Sequence, residues 1–406
     1  MFRIDQAIII IFLFSILAIP FFQIFFSRNA SDFFLVIALT FLHYTSLAVF
    51  FIISQDQITD SLNYFLWAEE SERWGYSGTS LVVRLVGVFR SLGLNDYLSI
   101  SLFFCTLSHI GILALLRAVR NVYITSGRRR MPLILSLLFF LPGFHLWTSP
   151  IGKDSLSAFL LGVGLYPFLS NGRVLTLRAT LCLSVAFLIR PQLAAPIILG
   201  LSVYLYCVNL RNTSAAVSTL ISIFYFVLLF AGCAFLYMYF LDFIQKYSTT
   251  GFSSIGQFLT SRAAVYQESS SGLDLSSVPI FARPLLFLFG LFPWKISNLQ
   301  HLATFLEGAI ILSYSVFGFV YLKRYLFLNN FLVERGSVLF FAGLSLIVGF
   351  SLIAGNAGLA ARLRTIPALL MLCGVCVIYS YCYRPSCAFG TNDTHLAVFS
   401  ESHEVD

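Results

Sequence analysis

The sequence predicts an all-α, polytopic integral membrane protein with about 11 transmembrane helices, two larger outward-facing loops and a re-entrant or interfacial segment near residues 284–294. Three observations carry that prediction. Of the 406 residues 58% are hydrophobic and only 11% are charged, whereas a soluble domain needs roughly 25% charged residues to keep its surface solvated. The mean hydropathy is +0.87, so lipid is the solvent for most of the chain. Apolar runs of about 20 residues, the length that crosses a hydrocarbon core, recur from one end to the other. Residues 1–383 form one transmembrane domain in this reading, and 384–406 a polar, disordered cytoplasmic tail.

In chain order, the first run covers residues 7–26 and lacks a small-residue cleavage pattern, so it is expected to stay as an uncleaved span. Further runs cover 33–54, 97–116, 131–147, 155–169, 175–189, 193–208, 215–241, 302–322, 338–353 and 366–381. Pro191 and Pro196 separate the sixth from the seventh, and the short central spans suggest helices packed around a polar cavity. The segment from Pro284 to Trp294 is bounded by prolines and too short to cross.

Orientation follows from Lys and Arg in the short connections. Arg117, Arg120 and Arg128 to Arg130 mark one side, joined by Arg28, Arg173, Arg178, Arg211, Lys323, Arg324, Arg335 and Arg384. With that side cytoplasmic, the long polar loops at about 55–96 and 242–301 face outward. The net charge of +7 belongs to these loops and gives no reason to invoke nucleic acid. The eight cysteines are scattered and mostly apolar in context, so neither a disulfide framework nor a metal site is expected.

The ionisable residues that remain gather on the outward side. In the first loop Asp60 and Tyr64 are one helical turn apart and share a face. Asp60 reads equally well as a helix cap, while Glu69, Glu70 and Glu72 read as solvated. In the turn from Leu141 to Ser155, Pro150 and Gly152 end one helix and Lys153 and Asp154 begin the next. Asp154 is favourable at a helix N-terminus for purely structural reasons. Lys153 is not, because it adds a cation at the positive end of the helix; together they make a phosphate-binding arrangement. His145 reads as a packing residue. Arg190 before Pro191, Arg262, Arg283 before Pro284, and Arg362 and Arg364 before Pro367 all lie on the outer side, where positive-inside statistics disfavour them. A single interfacial arginine snorkels, but a group of them points to an anionic substrate. Arg362 and Arg364 fall on different helix faces.

No Walker loop, dinucleotide fingerprint, HExxH or GxSxG occurs, so ATP hydrolysis, redox chemistry, zinc proteolysis and serine hydrolysis lack support. What remains is an ATP-independent transfer from an activated donor already in the membrane. No cofactor is called for, and a divalent cation, if used, has no dedicated motif. The rival from another class is a transporter or flippase for a lipid-linked oligosaccharide or other anion; the absence of an inverted repeat and the one-sided charge distribution count against it.

At these same residues the chain resembles the bacterial polytopic proteins of polysaccharide clusters, the group spanning GT-C-type glycosyltransferases and Wzy-type repeat-unit polymerases. The pieces that carry the resemblance are Thr59-Asp60-Ser61 with Tyr64 and Ala68, Leu141-Pro142 to Trp147 with Gly152-Lys153-Asp154, and Ile189-Arg190-Pro191. Later pieces are Pro279 with Phe281-Ala282-Arg283-Pro284, Pro293-Trp294 with Asn298 and Glu307, and Asn356 to Arg364 with Pro367. The resemblance implies an enzyme of the bacterial inner membrane that builds O-antigen, capsule or exopolysaccharide from polyprenyl-phosphate- or pyrophosphate-linked sugars, alongside other polysaccharide-assembly proteins. It implies Asp60 as catalytic base or acceptor-orienting group, with Lys153 and Asp154 beside it, and Arg190, Arg283 and Arg362 as ligands of the lipid phosphates, with Tyr64 and Arg364 lining the site. The chain departs from the family in lacking a metal-binding acidic pair near a span end of the first loop, and in missing the polymerase arginine-loop spacing at Arg190 and Arg262.

Overall fold

The computed structural model describes residues 4–27, 30–54, 59–73, 75, 78–126, 131–174, 176–212, 220, 278–290, 296, 299–328, 335–352 and 357–382. Among them, helix is the only regular structure. The expected span at 215–241, most of the second outer loop with Arg262, and the tail lie outside the described residues.

Apolar runs become helices at the expected places. The first two are α1 (Ile4–Phe26) and α2 (Ala30–Ile53), which pack as an antiparallel pair. The region expected as the first outer loop holds two helices, α3 (Asp60–Trp67) and α4 (Gly78–Ser91). Helix α4 is amphipathic: Val82, Val83 and Val86 are buried while Arg84 and Arg90 alternate with them on less buried positions. After α5 (Tyr97–Thr125) come α6 (Leu133–Ser136) and α7 (Pro142–Thr148), then α8 (Lys153–Asn171), α9 (Leu177–Ile189) and α10 (Pro191–Asn212). The later elements are α11 (Arg283–Phe289), α12 (Leu299–Leu328), α13 (Arg335–Ser351), α14 (Ala357–Leu363) and α15 (Thr365–Cys382).

Among the described residues, five helical stretches are long and apolar enough to cross a membrane: Asp5–Phe26, Asp32–Ile53, Tyr97–Thr125, Pro191–Val208 and His301–Lys323. Leu177–Ile189, Arg335–Ser351 and Thr365–Tyr381 are apolar but shorter. Helix α11 rises only about 10 Å over its 7 residues, a third of a hydrocarbon core, and stops at Gly290, whose φ of 75° suits a residue without a Cβ.

One expected span is not continuous. Residues 131–147 form α6, a 3₁₀ turn (Leu137–Phe140) and α7, separated at Leu141, whose backbone is extended (φ −61°, ψ 119°). Pro142 is the cause, since it lacks an N–H and disfavours helical conformation in the residue before it. The break leaves backbone groups unpaired inside the bundle, and side chains satisfy them: His145 Nε2 donates to the Phe139 carbonyl at 2.7 Å, and the Gly143 N–H donates to Glu307 Oε1 at 2.9 Å.

The centre of the bundle is the α5/α8 pair. Gly111 and Gly162 face one another there so closely that a Cβ on either would collide with the other helix's backbone. Gly336 of α13 and Gly374 of α15 do the same for a second pair. Such backbone-to-backbone approach buries α8 almost completely, with Leu156, Ala158, Leu161, Leu165 and Phe168 all within the core.

The bundle has two chemically distinct ends. Helix α8 separates Lys153 from Leu169 by about 24 Å. At the Leu169 end, Arg335 Nη1 donates to the Leu169 carbonyl at 2.7 Å and Nη2 to the Tyr381 hydroxyl at 2.6 Å. Asn121 Nδ2 donates to the Tyr166 hydroxyl at 3.1 Å, Arg178 lies 5.2 Å over the Tyr166 ring, and Arg120 pairs with Asp32. These arginines are among those that the charge count assigns to the cytoplasm. The other end carries the candidate site.

Candidate anion site at one end of the bundle

Four separate stretches of chain deliver charges to one place. Helix α3 is capped by Thr59, whose hydroxyl accepts the Leu62 N–H at 3.3 Å. That cap leaves the Asp60 carboxylate free of capping duty, and it pairs with Arg362 instead. Behind it Tyr64 is buried, with its ring close to Gly152: a Cβ there would lie 3.8 Å from Tyr64 Cε2.

Helix α8 starts after Gly152 without a side-chain cap. The Asp154 carboxylate, one of the two readings of which was a helix-terminus group, is taken by two guanidinium groups. Arg190 Nη1 lies 2.7 Å from Oδ1, and Arg362 Nε donates to Oδ2 at 2.7 Å. Lys153 points to α4, its Nζ donating to Thr79 Oγ1 at 3.1 Å.

Arg190 stands at the turn between α9 and α10. Its N–H closes α9 on the Ala186 carbonyl at 2.8 Å, and its carbonyl accepts from Leu193 and Ala194, each at 3.0 Å, to open α10. Pro191 makes this junction possible because the first helical position has no N–H to lose. Arg362 reaches the site from α14, where Thr365 Oγ1 bonds its carbonyl at 2.7 Å.

The result is a line of alternating charge, Asp60, Arg362, Asp154, Arg190, that runs from solvent into the bundle. Side-chain exposure falls along it from 58% at Asp60 through 19% at Arg362 to 3% at Asp154 and 5% at Arg190. With Lys153 included there are three cations and two carboxylates. Burial alone would raise the Asp154 carboxyl, but Arg190 and Arg362 overcome it and hold it below the usual carboxylate range. Burial likewise opposes the charge on Arg362, and Asp154 and Asp60 more than offset that, so its proton is held more firmly than usual. For Lys153 the same two carboxylates offset only part of the effect: burial first, then Arg190 and Arg362, push it down to about 8. Burial raises the Tyr64 hydroxyl above its ordinary range.

Two sequence-predicted residues sit differently. Arg364, two positions from Arg362 and on the other face, does not join this group. It is buried with Glu307, donating from Nη2 to Oε2 and to the Thr304 carbonyl, each at 2.9 Å, and from Nη1 to the Leu288 carbonyl. Its five-donor fork ties α14 to α11 and α12, and Glu307 in turn holds the N-terminus of α7. Arg283 lies at the first residue of α11, where its Nε donates to the Val278 carbonyl at 3.3 Å.

Sequence reasoning missed Thr79, which nothing but tertiary contact reveals. It also missed a buried group of three histidines. His43 Nδ1 and His145 Nδ1 are 2.9 Å apart, His43 Nε2 is 2.8 Å from Ser108 Oγ, and His43 stacks on His109 with ring centroids 5.1 Å apart. Ionisable residues inside apolar runs were the available signal. His145 thus bonds Phe139 through Nε2 and His43 through Nδ1, and these contacts support the helix break at Pro142. No group of metal-ligating side chains able to hold an ion occurs among the described residues.

The site as built offers an anion two partly accessible cations, Lys153 and Arg362, above a buried, internally neutralised Asp154–Arg190 pair. No family model, curated protein or solved structure matches this chain.

Proposed function

We propose that the protein is a membrane glycosyltransferase or polymerase of surface polysaccharide, acting on the outer face of a bacterial inner membrane on polyprenyl-phosphate- or pyrophosphate-linked sugars. The observation that supports this most is the gathering of Asp60, Lys153, Asp154, Arg190 and Arg362 at the end of the bundle opposite the Arg335 and Arg120 end. An apolar bundle that carries excess positive charge at its non-cytoplasmic end suits an anion that arrives through the membrane on a lipid.

In the proposed reaction the acceptor hydroxyl attacks the anomeric carbon of the donor sugar. The new bond forms from the hydroxyl oxygen to that carbon as the bond from carbon to the lipid phosphate breaks, and its electron pair leaves with the phosphate. Asp60 takes the hydroxyl proton. Lys153 and Arg362 stabilise the charge on the departing phosphate or pyrophosphate, while Arg190 fixes Asp154 and thereby Arg362. Loss of one well-placed charge-stabilising donor costs about 10²-fold in rate or more.

Asp60→Asn tests the reading in cells. The amide is nearly isosteric, Thr59 keeps the cap, and the residue is exposed, so the protein accumulates normally while polysaccharide assembly is lost. Glu70→Gln, which removes an exposed partner of Arg73, leaves assembly unchanged. Assembly at the normal level with Asp60→Asn removes Asp60 from the mechanism.

A further inference from the structure

The Asp60 carboxylate occupies the most accessible of the site's guanidinium groups. Arg362 has two acidic partners of unequal standing. Asp154 is buried, belongs to the rigid start of α8, and is held from its other oxygen by Arg190. Asp60 is mostly exposed, sits on the short helix α3, and has Arg362 as its ion-pair partner among the described residues. An anion entering from the lipid or from water therefore has one group to displace. It does not have to break the buried contact, which would leave charge stranded in low dielectric, but only the one to the exposed Asp60 carboxylate, which solvent weakens.

The charge count favours the same exchange. With Asp60 in place the five ionised groups sum to +1, from Lys153, Arg190 and Arg362 against Asp60 and Asp154. With Asp60 swung away the remaining four sum to +2, the charge that a phosphate dianion or a sugar–lipid diphosphate neutralises. Departure of Asp60 also leaves its oxygens unpaired and next to the bound ligand, where a proton acceptor is wanted.

We propose that Asp60 is a displaceable stand-in for the ligand's phosphate, an autoinhibitory contact on Arg362 that an incoming phosphate or diphosphate group replaces. This inference rests on the reading of the site as an anion site, and it adds an order of events: anion first, then release of the carboxylate that accepts the proton. Without ligand, Asp60 keeps Arg362 covered and is itself silent.

The test measures binding of inorganic pyrophosphate to the purified full-length protein in lipid nanodiscs, for wild type, Asp60→Asn and Glu70→Gln. Removing a competitor strengthens binding, so Asp60→Asn binds pyrophosphate roughly two- to fivefold more tightly than wild type, as expected from the strength of an exposed ion pair. Glu70→Gln, which deletes the same charge elsewhere on that exposed segment, binds as wild type does. Unchanged or weaker binding in Asp60→Asn overturns the proposal, as does equal tightening in Glu70→Gln, because the effect is then one of net charge alone. Absence of pyrophosphate binding in wild type and Asp60→Asn alike overturns it too. Tighter binding by a protein that transfers no sugar keeps the stand-in and rejects the transferase, whereas sugar transfer with unchanged pyrophosphate affinity in Asp60→Asn does the reverse.

Discussion

Arg190 and Asp154 meet at 2.7 Å across the adjoining ends of two consecutive helices, Arg190 directly after the last residue of α9 and Asp154 the second residue of α8. Neither side chain is appreciably exposed, so the bundle tolerates Arg190 because Asp154 faces it, and Asp154 because Arg190 and Arg362 both do. Their pairing fixes a platform at the end of the bundle on which Arg362 is seated by its second contact to Asp154. A group of charges built on helix ends in this way is stiffer than one built on loops.

That platform makes guanidinium geometry matter. Arg362 engages two carboxylates from different helices, and an ammonium presents a single point of charge where the fork presents several donors. Arg190→Lys and Arg362→Lys are therefore expected to impair polysaccharide assembly while the protein remains in the membrane. In the transferase reading unextended lipid-linked substrate accumulates on the outer leaflet, measurable by its accessibility to an impermeant probe; accumulation on the inner leaflet fits a flippase instead.

The two-ended charge distribution predicts accessibility. Cysteines placed singly at 153, 190 or 362, in a chain lacking native cysteine, label from outside the cell as far as burial allows, with 190, the buried one of the three, the least reactive. A cysteine at 323 labels only after the membrane is permeabilised. Labelling of position 153 from the cytoplasm alone overturns the orientation.

Lys153 supplies a pH dependence. Its ordinary value of 10.5 is pushed down to about 8 by burial and by the neighbouring Arg190 and Arg362. Below that pH the ammonium is present and attracts an anion; as pH rises through it the cation is lost, and pyrophosphate binding weakens by up to about tenfold per further pH unit. Bound anion shifts the fall upward by favouring the charged form. Lys153→Arg, which stays charged, removes the decline near pH 8, as a titration of binding against pH shows. The same shift means that the unfolded chain holds more protons than the folded one between about pH 8 and 10.5, so this group's contribution to stability rises across that window.

Arg364 and Glu307 predict a stability effect without a site effect. Arg364→Met leaves the Glu307 carboxylate buried beside Gly143 with one partner gone, a change expected to cost about 3–5 kcal/mol and to lower the thermal midpoint in detergent. The double change Glu307→Gln with Arg364→Met keeps an acceptor for the Gly143 N–H and recovers part of the loss. If Arg364→Met keeps full thermal stability and abolishes binding of pyrophosphate, Arg364 belongs to the site after all.

Much of the architecture is legible in the sequence because lipid imposes a length on each helix: α1, α2 and the N-terminal two thirds of α5 follow the apolar runs at 7–26, 33–54 and 97–116. The break at Pro142 is less legible, since the composition stays apolar across it and only the proline interrupts. Helix α4 is hidden because an amphipathic surface helix alternates in hydrophobicity and reads as part of a polar loop. In the site, the two-residue offset of Arg362 and Arg364 places them on different faces from helical geometry alone, but which faces Asp154 depends on how α14 lies against its neighbours. Thr79 and Lys153 are 74 positions apart, a contact that no local pattern encodes.

The central claim is sugar transfer at the Asp60 end of the bundle, and the most direct measurement supplies purified protein in nanodiscs with a polyprenyl-diphosphate-linked oligosaccharide and follows the lipid products by mass. The account predicts lengthened or newly glycosylated lipid products with wild type and none with Asp60→Asn, although that variant still binds pyrophosphate. Unchanged substrate with a wild-type protein that nonetheless moves it between leaflets contradicts the account and makes the site a transporter's.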